Sequence, residues 1–275
     1  LHPVAHSFPT RRSSDLGDYA LTCRLRLGNT VQSCRVRVAT IPTPDGEAAS
    51  LRLVRSNHLL CGISELGFNS SVSVALAEIS RAPSGLICVA GAMGAGKSTT
   101  ARAILLERVR AGARCIALED PVEVPLPGVL HVPLLPGREP VQRLLRHLVR
   151  HDPDVIMVGE VRDPDGVSLA LELALLGRLV LVTVHAESLA AIPGRFADLG
   201  RPWDRVEPRL LMCVHQHLLP TKPPNLGRAP LCTLMRGPLA PPKLVDLDLR
   251  AAIRMSRVDG KLCPDAVAAL AAWSR

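Results

Sequence analysis

Residues 85–110 read GLICVAGAMGAGKSTTARAILLERVR, and the fold follows from how this stretch is parsed. GLICVA is a short apolar run of strand length, STTARAILLERVR has helical character, and GAMGAGKS at 91–98 joins them. The joining segment satisfies GxxxxGK[ST] in the strand-to-helix context that gives the pattern meaning. In such a loop the glycines let backbone N–H groups wrap a β-phosphate at a helix N-terminus. The lysine bridges β- and γ-phosphates, and the hydroxyl takes Mg²⁺. The expected nucleotide-binding residues are therefore Gly91, Ala92, Met93, Gly94, Ala95, Gly96, Lys97, Ser98 and Thr99, with Ser98 as the Mg²⁺ ligand. ATP and Mg²⁺ are the cofactors this implies.

Downstream, the short apolar runs CIALED at 115, DVIMVGE at 154 and LVLVTVH at 179 alternate with amphipathic segments. Strand-helix alternation of continuous apolar strands predicts a parallel sheet covered on both faces. Open α/β sheets bind their ligands at the carboxyl ends of such strands, and here those ends carry chemistry. Glu160 is the first choice for the base that polarises an attacking water. Glu119, Asp120 and Glu123 supply acids for Mg²⁺ or water contacts, Glu119 or Asp120 reaching the metal through water. His185 closes a further strand. Singly, each could be a cap, a solvated turn or a structural histidine; beside one phosphate loop they form a set. No Ser-His-Asp order or metal-ligand spacing competes with them.

Upstream, residues 20–55 have period two: Leu21, Cys23, Leu25 and Leu27, then Cys34, Val36 and Val38, then Leu51 and Leu53. That pattern predicts half-buried antiparallel strands, with Gly28-Asn29 and IPTPDGE at 41–47 as the turns. Arg24, Arg26, Arg35, Arg37 and Arg52 fall on the opposite, solvent side of the alternation. Residues 1–16, LHPVAHSFPTRRSSDL, follow no periodicity and read as a non-native leader. Beyond 220 the chain is Pro-rich, which predicts a linker and a small helical C-terminal subdomain. The expected organisation is thus 1–16 leader, 17–80 truncated α+β N-terminal domain, 81–220 core and 221–275 C-terminal region.

Composition narrows the classes. A chain of 275 residues accommodates one catalytic core with a smaller appendage. Lysine plus arginine exceeds aspartate plus glutamate by 33 to 25, but arginine makes up nearly all of the excess and net charge alone implies no nucleic-acid partner. The eight cysteines form no CxxC pair and several sit in strand-like runs, as expected of reduced core residues in the cytosol. No run of about 18 uncharged apolar residues occurs, so no membrane span is expected.

From about residue 35 to 218 the chain resembles the secretion-system and type IV pilus ATPases, a family that includes type II secretion protein E and pilus assembly and retraction motors. GAMGAGKSTT resembles the family's Walker A, ALEDPVE its Asp box, RHDPDVIMVGEVRD its Walker B and VTVHAESLAAIPGRFADLG its His box. The segment RVATIPTPDGEAASLRL is similar to the family's N-terminal stretch whose two arginines reach the nucleotide phosphates, which implies that role for Arg37 and Arg52. The resemblance implies an α/β fold with a RecA-like P-loop NTPase core. It also implies a homohexameric, cytoplasmic ring at the inner membrane, acting on an inner-membrane platform protein to move pilin or pseudopilin. Ala186 stands where the family has Thr, His217 where it has Arg, and a tetracysteine zinc motif is absent. The alternatives are a nucleic-acid-translocating or conjugation-type ATPase and an inactive nucleotide-binding scaffold. The motif set favours protein transport, so nucleic acid is not expected as a partner.

Overall fold

A computed structural model describes residues 17–27, 30–55, 61–120, 122, 125–134, 141–220, 228–238, 257–258 and 261–262. Residues 1–16 and Glu123 lie outside the described residues, as does most of the chain expected to form C-terminal helices. The chain divides into two compact units, Leu1–Leu59 and Leu60–Arg275.

The first unit is an antiparallel sheet of β1 (Gly17–Leu27), β2 (Thr30–Thr43) and β3 (Gly46–Arg55), in that order. Leu27 pairs with Thr30 across Gly28-Asn29, themselves outside the described residues, and Thr43 pairs with Gly46 across a two-residue turn. The Thr43 hydroxyl donates to the Gly46 carbonyl at 2.9 Å. Val36 and Val38 are buried, as the period-two pattern requires, whereas Leu51, paired with Val38, is 63% exposed against that pattern, and the register sets Arg37 directly opposite Arg52.

The second unit begins earlier than the sequence indicates. Helix α1 (Ser70–Ser80), expected with the N-terminal domain, is capped by Asn69, whose side chain accepts from the Val72 amide at 2.8 Å. Its Val72, Leu76 and Ile79 enter a core shared with the sheet of this unit, so it packs here. The main elements then run β4 (Gly85–Ala90), α2 (Lys97–Arg110), β5 (Cys115–Glu119), β6 (Val129–Pro133), α3 (Val141–Arg150), β7 (Val155–Glu160), α4 (Pro164–Leu175), β8 (Leu179–Val184), α5 (Ile192–Asp198), α6 (Trp203–Val206), β9 (Leu210–Pro220) and β10 (Arg228–Arg236).

One seven-stranded sheet has the order β10-β9-β4-β8-β7-β5-β6, parallel except for the antiparallel edge pair β9/β10. The core therefore extends past residue 220, the boundary expected from the Pro-rich sequence. Pro230 is accommodated because β10 is an edge strand, where an absent N–H breaks no ladder on the outer side. Along β4, Leu86, Cys88 and Ala90 belong to the cluster under α4 and α5, whereas Ile87 and Val89 belong to the one under α1 and α2. Burial on both faces is why this strand is apolar throughout. Cys88, Cys115, Cys213 and Cys232 are buried thiols within these layers. In the far C-terminal region the described residues form only the short pairing Arg257–Val258 with Lys261–Leu262. Among the described residues, no helix is long and apolar enough to cross a membrane.

Candidate active site at the carboxyl ends of the parallel strands

Strand order assembles the site. Moving across the sheet from β4 to β8, β7 and β5, the strand ends present in turn the 91–98 loop, His185, Glu160 and Glu119. The first three are joined by hydrogen bonds. The Lys97 ammonium donates to the carbonyls of Gly91 at 3.0 Å and Ala92 at 2.9 Å, and lies 3.2 Å from His185 Nδ1. An ammonium has only donors, so Nδ1 accepts and the ring hydrogen sits on Nε2, which contacts Glu160 Oε1. Arg162 donates to the other Glu160 oxygen, Oε2, at 2.6 Å.

The electrostatics follow from these contacts. Burial alone would raise the Glu160 carboxyl. The hydrogen bond from Arg162, the adjoining His185 ring and the charges of Arg162 and Lys97 outweigh it and hold the group below its ordinary value. Lys97 is lowered by burial, partly offset by the Glu160 carboxylate. Arg162 is raised by its bond to Glu160, with a smaller contribution from Asp120, which brings that exposed carboxylate into the same field.

Glu119 belongs to a second cluster. Its Oε1 takes Arg102 Nη2 at 2.5 Å and Nε at 3.2 Å; its Oε2 lies 2.9 Å from His131 Nδ1. The Leu126 amide donates to His131 Nε2 at 2.8 Å, so the ring hydrogen is on Nδ1 and points at the carboxylate. Arg102 is 1% exposed and Glu119 7%, which makes this an ion pair inside the protein, tying α2 to β5 and β6. Removing one partner of such a pair leaves an uncompensated buried charge. Glu119→Ala is accordingly expected to lower stability by about 3–5 kcal/mol, read as a fall in denaturation midpoint, with Glu119→Gln milder because it keeps an acceptor. An unchanged midpoint for Glu119→Ala would show that the pair holds nothing.

The loop itself is backed by β9. Gly91 has φ +150 and Gly96 φ +85, and a Cβ at Gly91 would run into the backbone of Gln216. The Gln216 side chain accepts from Thr100 Oγ1 at 2.8 Å and donates to the Ala95 carbonyl at 2.5 Å. Sequence reasoning weighed HQHL only for His217 and missed Gln216. The signal was a polar residue inside the apolar strand LLMCVHQHLLP, which must find partners if buried. His217, where the family resemblance led one to look for Arg, packs edge-on against His215 with ring centroids 4.7 Å apart. Ser98 is exposed at the start of α2 and Thr99 half-buried. Among the described residues, no group of three or more His, Cys, Asp or Glu is arranged to hold a metal ion without other ligands. Arg37 and Arg52 belong to the separate N-terminal unit.

A mostly parallel sheet with a glycine loop running from a central strand into a helix defines a RecA-like P-loop core, here preceded by an antiparallel sheet. The sequence profile of the type II/IV secretion system protein family matches residues 20–241, and the chain belongs to that family. Type II secretion system protein E of Aeromonas hydrophila is 35% identical over 214 residues, covering 75% of this chain and 41% of that protein. The chain thus spans less than half the length of this relative. Among solved structures, the Legionella pneumophila ATPase DotB matches with a TM-score of 0.67 at 19% identity, over 93% of this chain and 78% of the other, a likeness of fold. The pilus retraction motor PilT with bound ADP matches with a TM-score of 0.61 at 26% identity, over 80% and 64% of the two chains.

Proposed function

We propose that this chain is the ATP-hydrolysing core of a motor subunit that powers type II secretion or type IV pilus assembly or retraction. The observation that carries the proposal is the hydrogen-bonded series Lys97, His185, Glu160 at adjacent strand ends beside the glycine loop. In this reading the loop amides and Lys97 bind the β- and γ-phosphates at the N-terminus of α2, where the helix dipole favours anions. Glu160, kept ionised by Arg162 and its other cationic neighbours, accepts the proton of the attacking water. His185 orients the carboxylate through Nε2 and senses Lys97 through Nδ1.

The exposed Ser98 hydroxyl suits Mg²⁺, which would neutralise charge on the phosphates; with no all-protein metal cluster among the described residues, the ion would be shared with the nucleotide. Glu119 acts at one remove, holding α2 through Arg102. Arg37 and Arg52, by the family resemblance, add charge stabilisation of the phosphates. Assembly as a homohexamer, docking on an inner-membrane platform protein, a cytoplasmic location and transport of pilin-like subunits are part of the same proposal and follow from the family resemblance; the relatives' names support the secretion and pilus roles alone.

Lys97→Ala tests the site. The substitution deletes the charge that meets the phosphates and is expected to abolish saturable MgATP binding by calorimetry, with the thermal midpoint of the nucleotide-free protein nearly unchanged. Binding at wild-type affinity would overturn the assignment.

A further inference from the structure

The phosphate loop has a brace that the four motifs do not include. Gln216 is 1% exposed, and its amide uses both ends. Oε1 accepts from Thr100 in the first turn of α2, and Nε2 donates to the Ala95 carbonyl in the loop. The contact is close enough that a Cβ at Gly96 would lie 2.9 Å from Gln216 Nε2. The fit depends on glycine on one side and on this side chain on the other.

Peptide geometry gives the brace a consequence. In a planar trans peptide the C=O of one residue and the N–H of the next point in opposite directions. Holding the Ala95 carbonyl against β9 therefore turns the Gly96 N–H away from β9. The same side chain fixes Thr100, whose amide makes the first turn's bond to the Gly96 carbonyl at 3.0 Å. One amide group thus sets both the last glycine of the loop and the helix start that follows it. Its neighbour His215, on the other face of the strand, lies with Nε2 3.2 Å from the carbonyl of Ala186, next to His185. Consecutive residues of one strand grip the loop and the histidine segment.

We infer that Gln216 is a positioning residue for the phosphate site, orienting the Gly96 N–H and the N-terminus of α2 toward a nucleoside diphosphate or triphosphate, with His215 fixing the His185 segment from the same strand. The inference rests on the phosphate-site reading given above. It predicts that Gln216 matters to the β-phosphate and little to the rest of the nucleotide.

The experiment uses the full chain, fluorescent mant-ADP with Mg²⁺ as the probe, and AMP as a displacing ligand without a β-phosphate. Gln216→Met preserves side-chain length while removing both bonds. It is expected to weaken ADP about tenfold to a hundredfold, the effect of two buried hydrogen bonds, with AMP displacement little changed. Thr100→Ser, which keeps the hydroxyl, is expected to bind ADP as the wild type does. Should Gln216→Met fail to fold, Gln216→Glu keeps an acceptor for Thr100 and has no donor for Ala95 when ionised, and the same loss of ADP is expected. ADP affinity unchanged in the folded variant, or equal losses for ADP and AMP, would overturn the brace. A wild-type chain that binds no mant-ADP, or a Lys97→Ala variant that binds it normally, would instead overturn the phosphate-site reading beneath it.

Discussion

Glu160→Gln is expected to leave MgATP bound and to cut turnover about 10²–10⁴-fold, the usual contribution of a general base. The amide keeps the shape of the carboxylate, and its single oxygen can still accept from Arg162 or from His185, though not from both, so the strand end should keep its fold while one of the two contacts is lost. It cannot take a proton from water. The pH profile separates chemistry from scaffolding. Because the folded-state pKa of Glu160 lies below its ordinary value, the carboxylate persists as pH falls through the usual glutamate range. Wild-type turnover should then hold through that range and drop only below it, whereas the residual activity of Glu160→Gln should lack this acid limb. Its contribution to stability has the same sign, present above the unfolded pKa and lost as pH falls through the folded one. Equal losses of binding and turnover in Glu160→Gln would make the residue structural.

Arg37→Ala and Arg52→Ala are expected to show the largest change in rate, a fall of about 10³–10⁵ if the pair stabilises the transferring phosphoryl group as an arginine finger does. Nucleotide affinity should stay close to wild type, since the ground state is held by the loop. Arg37 and Arg52 are directly paired in the backbone register of β2 and β3. Arg24→Ala, in β1 and outside the pair, serves as the control and should be nearly silent. Mild, equal effects at all three positions would reduce the arginines to a solvated surface.

The sequence was informative where burial is symmetric. β4, β5, β7 and β8 are continuous apolar runs because both faces are covered, and their polar ends announce themselves. β6, β9 and β10 were not legible. VLHVP in β6 is half-exposed, β9 carries the polar series His215, Gln216 and His217, and β10 contains a proline that only an edge tolerates. Strand order was hidden too. His185 lies between Lys97 and Glu160 because β8 sits between β4 and β7, although β5 and β7 come first in the chain. The pairing of Glu119 with Arg102 was equally out of reach, since nothing local in ALEDPVE indicates a partner on the preceding helix.

The Lys97 ammonium has three hydrogens and three acceptors within the protein, namely two loop carbonyls and an imidazole nitrogen. On the proposed reading, nucleotide entry is an exchange reaction. The phosphates compete with intramolecular acceptors whose effective concentration is high because the chain tethers them. Measured affinity would then report how far phosphate outcompetes Gly91, Ala92 and His185, and not the full attraction of a bare cation. Departure is eased for the same reason. When the phosphates leave, the ammonium passes to waiting acceptors and is never stranded unpaired in a buried site, so the loop acts as its own displacing ligand at product release.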